Sequence, residues 1–259
     1  MVKIAASIVT HNSDLGKLEE TVNSLLTADI NIHLSIIDNA SEPDYINRLK
    51  HKFPEYIIES GANRGYSFGH NIGIRNAPAS QYYLVLNPDV IIHQGTLEKI
   101  TDFLDAHSDI GLTSPKILSP DGNIQHLNKR LPSVQDLFLR RFLPPFLQQL
   151  ESVRKRMQRY VMLDCGYDES YTVPYMSGCF MLFRRSILDK IGAFDEGFFM
   201  YLEDADITHR TNKISRAVYF PDATITHHWS RGSHRSWKLG WITVKSAFYF
   251  FNKWGWRWI

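Results

Sequence analysis

The sequence Tyr82-Tyr83-Leu84-Val85-Leu86-Asn87-Pro88-Asp89 joins an apolar run to a polar turn. An apolar run of this length, rich in aromatic and branched side chains, predicts a buried strand. Because Asp89 follows the run so closely, we expect its carboxylate to project from an edge of the sheet into a cleft. Carboxylate oxygens suit Mg²⁺ and Mn²⁺, above all when a diphosphate supplies the other ligands. The tripeptide Asn87-Pro88-Asp89 is also a common turn, so on its own it leaves both interpretations open.

Three earlier runs repeat this order of an apolar strand followed by polar residues. They are residues 3–10 before Asn12, residues 32–37 before Asp38, and residues 56–59 before Asn63. Stretches with helical spacing separate the runs, so the amino-terminal half predicts a largely parallel α/β sheet flanked by helices. In open sheets of this class, ligands bind beyond the carboxyl ends of the strands. The polar clusters therefore predict a ligand site at that edge, with Thr10 among its residues.

The carboxyl-terminal half carries a strand-like stretch over residues 173–183 and later an acidic segment, Glu203-Asp204-Ala205-Asp206, before a predicted helix. The aromatic stretch Gly197-Phe198-Phe199-Met200-Tyr201 comes directly before the acids. Apolar surroundings can desolvate a carboxylate and tune it towards general-base use. Acidic residues are also favourable at a helix amino terminus without any catalytic role. The segment is thus a candidate for a catalytic base, carried by Asp204 or Glu203.

A glycine-rich stretch from Asn63 to Asn71 lies between a predicted strand and a predicted helix. Backbone amides at such a helix start can hold phosphate oxygens, and Arg64 can add a charged contact. The stretch matches neither the Walker pattern nor the dinucleotide fingerprint GxGxxG. The sequence therefore disfavours a nucleoside triphosphatase and a Rossmann dehydrogenase.

The adjacent pair His227-His228 is a further candidate for metal binding. Neighbouring residues of a strand point to opposite faces, so at most one of the two readily faces a single site. A zinc site would need further Cys or His side chains at defined spacings, which we do not find. Hydrogen-bonded structural histidines remain the alternative.

Composition excludes several classes of protein. The chain has 259 residues, 44% of them hydrophobic and 22% charged, which suits one large globular domain with or without an appendage. A net charge of +2 does not indicate a nucleic-acid partner. Cys165 and Cys179 form no CxxC pattern and predict no disulfide, which fits a reducing cytoplasm. Without a signal-peptide pattern or an apolar run that could span a bilayer, we expect a soluble or peripherally attached protein.

The predicted domain covers residues 1–232 and includes one segment that leaves its core; a tail follows the domain. Residues 138–160 contain six Lys and Arg residues against Glu151 alone, and we interpret them as a basic excursion, mobile or resting on an acidic surface. Residues 233–259 form a tail, and its stretch from Ser236 to Ile259 has nine aromatic residues, four cations and no acid. An apolar row at helical spacing, with lysines on another face, predicts an amphipathic helix at an anionic membrane surface. A helix packed on the core or on a second subunit is the alternative.

Taken in order, these motifs resemble those of the family 2 inverting glycosyltransferases of the GT-A fold. The likeness is closer to the bacterial rhamnosyltransferase-like branch that builds surface polysaccharides such as O-antigen, and it covers residues 3–232. The resemblance implies a Rossmann-like, mixed and mainly parallel sheet flanked by helices. The ordered series is Ile8 to Asn12, Ile37 to Ser41, Asn63 to Asn71, Leu86 to Asp89, Ser177 to Leu182, Gly197 to Asp206, and His227.

The resemblance also implies a role for each matching position. Asp89 would bind Mg²⁺ or Mn²⁺, and His227 stands where members of the family place a histidine that can complete the metal site. The sequence departs from the DXD motif of many members, with Asn87 in place of the first Asp. Asp204 would be the catalytic base, with Glu203 in support. The residues implied to bind the nucleotide sugar are Thr10, Asn12, Asp38, Asn63, Arg64, Gly65, Asn87, Ser177 and Gly178.

The implied reaction is sugar transfer with inversion, and dTDP-L-rhamnose is the favoured donor. The acceptor would be a polyprenyl-diphosphate-linked glycan at the cytoplasmic face of the bacterial plasma membrane, with the carboxyl-terminal helix on the membrane surface. The same fold also accepts other donors, and the alternatives are UDP-GlcNAc, UDP-galactose and a galactofuranose donor. A further alternative is a catalytically silent subunit that binds a nucleotide sugar or lipid. A nucleotidyltransferase shares the fold class, but the chain lacks its glycine- and lysine-bearing phosphate loop. The sequence indicates no oligomeric state.

Overall fold

The strands of the amino-terminal half form where the apolar runs predict them. The computed structural model describes residues 2–229 and 237–259. The strands are β1 Val2–Thr10, β2 Ile32–Asp38, β3 Ile57–Glu59, β4 Ser80–Leu86, β5 Val90–Ile92, β6 Ile110–Leu118, β7 Tyr171–Thr172, β8 Phe180–Arg184 and β9 Arg216–His227.

Helices connect most of these strands. Asp14 begins the first helix, because its carboxylate accepts the backbone N–H groups of Gly16 and Lys17 and so provides a partner for otherwise unpaired amides. The helices are α1 Leu15–Leu26, α2 Pro43–Lys52, α3 Tyr66–Asn76, α4 Thr96–Ala106, α5 Val134–Phe142, α6 Pro145–Gln148, α7 Glu151–Tyr160, α8 Arg185–Ile191, α9 Glu203–Thr211 and α10 Trp237–Trp254.

A single mixed sheet has the strand order β3-β2-β1-β4-β8-β6-β9-β5, with β7 beside β9. The strands β1 to β4 pair in parallel, so that Thr10 lies opposite Asp38 and Ile8 opposite Leu86. Their carboxyl ends therefore share one edge of the sheet. β8 runs antiparallel to β4, which brings the residues that precede β8 to the same edge. The fold class predicted from the sequence is confirmed.

Helices cover both faces of the sheet because side chains along the central strands alternate between two cores. Ile4 and Ile8 of β1 are buried in one core with Leu18 of α1. Ala5, between them, is buried in the other core with Ile74 of α3. Removal of these apolar surfaces from water is the main stabilising contribution to such a fold.

The strand predicted over residues 173–183 is wrong in its extent. β8 covers only Phe180–Arg184, and Ser177 and Gly178 lie in the loop before it. The physical reason is that the backbone N–H and carbonyl groups of Tyr175 are hydrogen-bonded to Lys129 as an isolated bridge. They therefore do not extend the pairing of β8 with its neighbouring strands.

The basic segment 138–160 lies outside the sheet and is largely helical, through α5, α6 and α7. A capping box begins α5, in which Ser133 Oγ accepts the N–H of Asp136 and the Asp136 carboxylate accepts the N–H of Ser133. Arg156 of α7 forms an ion pair with Asp136 at 2.7 Å. The acidic partner of this segment therefore lies within its own helical unit.

The tail forms the predicted helix, α10, and packs on the rest of the protein. Phe250 and Phe251 are buried in a core with Phe198 and Leu202, whereas Trp237 remains 86% exposed. The predicted boundary between residues 232 and 233 lies outside the described residues. None of the helices in residues 2–229 and 237–259 is long and apolar enough to cross a membrane.

Candidate active site

Three segments distant in sequence meet at the edge of the sheet beyond β4. The N–H of Asn87 donates to the carbonyl oxygen of Cys179 at 3.0 Å, which ties the turn after β4 to the loop before β8. The N–H of His228 donates to the carbonyl oxygen of Asp89 at 2.9 Å, which ties the end of β9 to the same turn. The predicted site residues gathered in this way are Asn87, Asp89, Ser177, Gly178 and His227.

A cavity of about 340 Å³ opens at this edge, a size typical of small-molecule sites. The predicted residues on its wall are Asn87, Asp89, Ser177, Gly178, Glu203, Asp204 and His227. The other predicted residues, Thr10, Asn12, Asp38, Asn63, Arg64 and Gly65, lie outside this wall. The structure thus brings the candidate base and the candidate metal ligands into one cavity. The six predicted nucleotide-sugar residues from the ends of β1 to β3 lie outside its wall.

The Asp89–His227 pair has the chemistry of a partial metal site. Gln125 donates its amide N–H to the His227 carbonyl oxygen at 2.7 Å, and its Oε1 lies 3.0 Å from His227 Nδ1. That arrangement places the ring proton on Nδ1 and leaves a lone pair on Nε2, which lies 3.4 Å from Asp89 Oδ1. Asp89 Oδ1 is buried and has no hydrogen-bond donor among the described residues. A cation between these two acceptors would satisfy both, so the pair fits Mg²⁺ or Mn²⁺.

No group of three His, Cys, Asp or Glu side chains in the described ranges, 2–229 and 237–259, could hold a metal ion by itself. Asn87 also lines the cavity, but its neutral amide is not one of these four side-chain types. A divalent cation that uses Asp89 and His227 would therefore take its other ligands from a bound diphosphate or from water.

The two acids at the start of α9 have different surroundings. Asp204 is half-buried, and its Oδ2 and Oδ1 accept the N–H groups of Gly178 at 3.2 Å and of Ala205 at 3.0 Å. Glu203 is buried, and one of its oxygens has no hydrogen-bond partner in the described chain. Burial, followed by repulsion from Asp204, raises the pKa of Glu203 well above its usual range. Burial therefore disfavours the charged form of Glu203, whereas the Asp204 carboxylate is oriented by two backbone N–H groups.

Thr10, Asn12 and Asp38 form a neighbouring cluster at the ends of β1 and β2. The Thr10 hydroxyl lies 2.6 Å from that of Tyr45, and Asn12 Oδ1 accepts a backbone N–H at 3.0 Å. Asp38 Oδ2 accepts the N–H of Ser41 at 3.1 Å, whereas Oδ1 is buried without a partner among the described residues. A buried carboxylate oxygen without a donor is unfavourable. The cluster therefore suits a ligand that brings a hydroxyl or N–H group to Asp38.

Asn63 and Gly65 lie next to this cluster. Asn39 donates its side-chain amide to Asn63 Oδ1 at 3.1 Å and to the Gly65 carbonyl oxygen at 3.0 Å. Gly65 has a φ of 99°, and a Cβ at this position would lie 2.0 Å from the Phe199 carbonyl oxygen. Only glycine fits here, which explains why the stretch before the acidic segment can approach α3 so closely.

Arg64 does not reach the cavity in this structure. Its guanidinium lies 4.3 Å from the ring centroid of Phe68, and Nη2 lies 3.5 Å from Glu196 Oε2. Because the Arg64 side chain is exposed, this ion pair is weak. A phosphate at this end of the sheet could therefore compete with Glu196 for the guanidinium.

The polar residues of the wall that were not predicted include Tyr66, Lys129, Arg140 and Tyr175. The Tyr66 hydroxyl donates to the Gly178 carbonyl oxygen at 2.7 Å, and burial raises the pKa of that phenol well above its usual value. Tyr66 lies inside the glycine-rich motif, so the sequence offered a signal for it. Lys129, Arg140 and Tyr175 reach the cavity through long-range packing and carry no local signal.

A mixed sheet with helices on both faces and a cavity lined by acids beyond β4 is the arrangement of the GT-A fold. In agreement, a solved structure of GalNAc-T7 with UDP, GalNAc and Mn²⁺ matches with a TM-score of 0.65 and 17% identity. The match covers 90% of this chain and 44% of that one, and it shows the fold alone.

Residues 6–192 match Glycosyl transferase family 2, and the chain belongs to this family. N-acetylglucosaminyl-diphospho-decaprenol L-rhamnosyltransferase of Mycobacterium tuberculosis is 27% identical over 231 residues, which cover 84% of this chain and 74% of that protein. Rhamnosyltransferase WbbL of Escherichia coli is 24% identical over 180 residues, with 66% and 64% covered. The predicted family is confirmed, and the chain is a glycosyltransferase.

Proposed function

We propose that this glycosyltransferase moves L-rhamnose from dTDP-L-rhamnose onto a polyprenyl-diphosphate-linked glycan, with inversion at the anomeric carbon. The observation that supports the proposal is the single cavity that holds Asp204 together with the Asp89–His227 pair. One wall offers a base for an acceptor hydroxyl, and another offers ligands for the leaving group. The names of the relatives support the choice of sugar and of acceptor, since one acts on N-acetylglucosaminyl-diphospho-decaprenol.

Asp204 is the proposed general base. It takes the proton from the acceptor hydroxyl as that oxygen attacks the anomeric carbon, and the bond from this carbon to the nucleotide diphosphate breaks. The N–H groups of Gly178 and Ala205 hold the carboxylate in one orientation. Burial raises the pKa of Glu203, which disfavours a second negative charge beside Asp204. A base of fixed direction is what a single in-line displacement requires.

Asp89 and His227 are the proposed protein ligands of Mg²⁺ or Mn²⁺, which would supply charge stabilisation for the departing diphosphate. The presence of Mn²⁺ in the matching GalNAc-T7 structure supports this choice of metal. Thr10, Asn12, Asp38, Asn63 and Gly65 would hold the nucleoside beyond the ends of β1 to β3. The unpartnered Asp38 Oδ1 would accept a hydrogen bond from the base or ribose.

The proposed place of work is the cytoplasmic surface of the bacterial plasma membrane. Trp237 and Trp241 on α10 are exposed, as are Phe142 and Phe146 on α5 and α6. Aromatic side chains and cations without acids favour an anionic lipid interface. Such attachment would place the cavity next to an acceptor whose lipid stays in the bilayer.

The test is transfer by the purified wild-type chain and by Asp204→Asn. The variant retains the shape of the site but has no proton acceptor, so we expect the rate to fall by a factor of about 10² to 10⁴. Calorimetric binding of dTDP-L-rhamnose with Mn²⁺ should be unchanged. The assay uses dTDP-L-rhamnose, UDP-GlcNAc and UDP-galactose in parallel, each with Mg²⁺, with Mn²⁺ and with a chelator.

Asp168→Asn serves as the control, since this carboxylate is 92% exposed and does not line the cavity. Its transfer rate should equal that of the wild type. Near-normal turnover by Asp204→Asn would remove Asp204 from its role. Faster transfer from a UDP-sugar would replace the proposed donor, and full activity in chelator would exclude the metal.

A further inference from the structure

Two cations on the cavity wall, Lys129 and Arg140, form no direct ion pair in the described residues, although the Asp204 carboxylate lines the same cavity. Lys129 is 5% exposed, and its ammonium lies 4.1 Å from the ring centroid of Tyr175. Arg140 of α5 lines the same wall and is half-buried. Neither cation forms an ion pair with a carboxylate within residues 2–229 and 237–259. Burying a cation without a counterion is unfavourable, so a ligand that compensates the charge is expected.

The surroundings of Lys129 disfavour the charged form of its side chain. Burial, followed by repulsion from Arg140, lowers the pKa of Lys129 to about 8. The Asp204 and Glu203 carboxyls of the same cavity act in the opposite direction on the pKa of Lys129 but do not outweigh burial. An anion bound against Lys129 and Arg140 would restore the usual preference of the lysine for its charged form.

Both cations are held in place by the surrounding fold. The backbone N–H and carbonyl of Lys129 bond to Tyr175 at 2.9 and 3.0 Å. Tyr175 leads within three residues to Gly178, whose N–H orients Asp204. Arg140 extends from α5, which is fixed to α7 by the ion pair of Asp136. The cations therefore form a built site beside the base.

The position of the pair separates it from the donor. The candidate nucleotide residues lie beyond β1 to β3, and the leaving diphosphate would lie at Asp89 and His227. Lys129 and Arg140 lie on the wall formed by α5 and by the segment around Tyr175, and Thr243 of α10 continues that wall. Both α5 and α10 expose aromatic side chains, Phe142 and Trp241 among them. An anion that enters from this side would carry an apolar chain.

Building on the proposed function, we propose that Lys129 and Arg140 bind the diphosphate of the lipid-linked acceptor. The planar guanidinium can donate two hydrogen bonds to a phosphate, and the ammonium adds a compact charge. The acceptor would then be held by its diphosphate while its sugar hydroxyl reaches Asp204. Recognition of the head group would not depend on the length of the lipid.

The experiment measures calorimetric binding of farnesyl diphosphate, farnesyl monophosphate and dTDP to the wild-type chain, to Arg140→Gln and to Lys129→Met. Removal of one charged hydrogen-bonding partner should weaken farnesyl diphosphate binding about tenfold. The monophosphate should bind the wild type less tightly and should respond less to either substitution. Binding of dTDP should not change, because the nucleotide lies elsewhere.

Arg154→Gln is the matched control, since Arg154 is an exposed cation of the same basic segment and does not line the cavity. It should bind farnesyl diphosphate like the wild type. Circular dichroism establishes that each variant is folded, and the half-buried Arg140 keeps the test decisive if the buried Lys129 variant does not fold.

Unchanged binding of farnesyl diphosphate by Arg140→Gln overturns the subsite. Equal weakening of dTDP also overturns it, because the cations would then serve the donor. The proposed function is tested separately, by sugar transfer. If the wild-type chain transfers no sugar but binds farnesyl diphosphate through Arg140, the proposed reaction is wrong and the diphosphate subsite stands.

Discussion

Glu203 and Asp204 are neighbours in sequence, yet the fold gives them different environments. Both line the cavity, but Glu203 is buried at the start of α9, whereas Asp204 is half-buried with two backbone N–H groups on its oxygens. Two carboxylates this close do not both ionise readily, and burial determines which one keeps its proton. The division of roles between the two acids is therefore a consequence of helix geometry.

Glu203→Gln should stabilise the protein at neutral and alkaline pH. The folded-state pKa of Glu203 is raised, so folding binds a proton that the unfolded chain releases above its own pKa, near 4.3 for a free glutamate. That stability is fully present below the unfolded pKa and is lost as the pH rises towards the folded pKa. The amide avoids this loss, and thermal unfolding should show a gain at pH 8 that shrinks towards pH 4.

The control for this prediction is Glu55→Gln, an exposed acid whose midpoint should follow the wild type at every pH. A gain that is equal at pH 4 and pH 8 would mean that packing, not protonation, explains the effect. A loss at pH 8 would show that Glu203 is ionised in the folded protein.

At the residue scale, the strand-end motifs predicted where site residues would lie. Asn87, Asp89, Ser177, Gly178 and the two acids of α9 were found by pattern and resemblance, and they share the cavity. Lys129 was not found, because its position depends on a backbone bridge to Tyr175 that closes a loop of more than forty residues. No local periodicity encodes such a contact.

Among the elements, α10 and α9 are joined by a buried carboxylate. Asp206 has no exposed surface, and it pairs with Arg210 of its own helix at 2.8 Å and with Lys253 of α10 at 2.7 Å. The indole N–H of Trp254 donates to the same carboxylate at 2.9 Å. Because α9 also carries Asp204, the carboxyl-terminal helix supports the element that presents the base.

Lys253→Met should weaken this attachment. The buried Asp206 carboxylate would lose one charged partner, and we expect the free energy of unfolding to fall by about 1–3 kcal/mol. Urea denaturation measures the change. Lys238→Met, on the exposed part of the same helix, is the matched control and should leave the midpoint unaltered. Equal midpoints for the two variants would show that the pairing with Asp206 contributes nothing to stability.

Element types were predictable where one physical signal dominated. The apolar runs before Asp38 and Asn87 indicated buried parallel strands. The pattern around Ser177 was misleading, because apolar residues that pack a loop against the core have the same composition as a strand. The order of β8 between β4 and β6 depends on long-range pairing, which the strand patterns alone do not specify.

For the molecule as a whole, the exposed aromatic residues of α10 and of the α5–α6 segment lie near each other. A Cβ on Gly240 of α10 would lie 2.9 Å from Arg141 Nη2 of α5, so the two helices are in contact. Arg141 and Thr243 also line the cavity. The aromatic surface and one wall of the cavity thus lie on the same side of the protein, an arrangement that suits the proposed membrane-anchored acceptor.

The double variant Trp237→Ala/Trp241→Ala should lose attachment to anionic vesicles. Both indoles are exposed, at 86% and 56%, so their removal leaves the core intact and the thermal midpoint should not change. Each large apolar side chain transferred to the interface contributes about 1.5–3 kcal/mol, so the loss of two should reduce binding at least tenfold. Co-sedimentation with phosphatidylglycerol vesicles measures the binding, and Leu26→Ala, which changes an exposed apolar side chain on α1, is the control.

Transfer to a lipid-linked acceptor in vesicles should fall in parallel, whereas transfer to a water-soluble acceptor should persist. Vesicle binding equal to that of the wild type would exclude α10 as the membrane contact, and equal loss in Leu26→Ala would show that the assay reports general surface hydrophobicity.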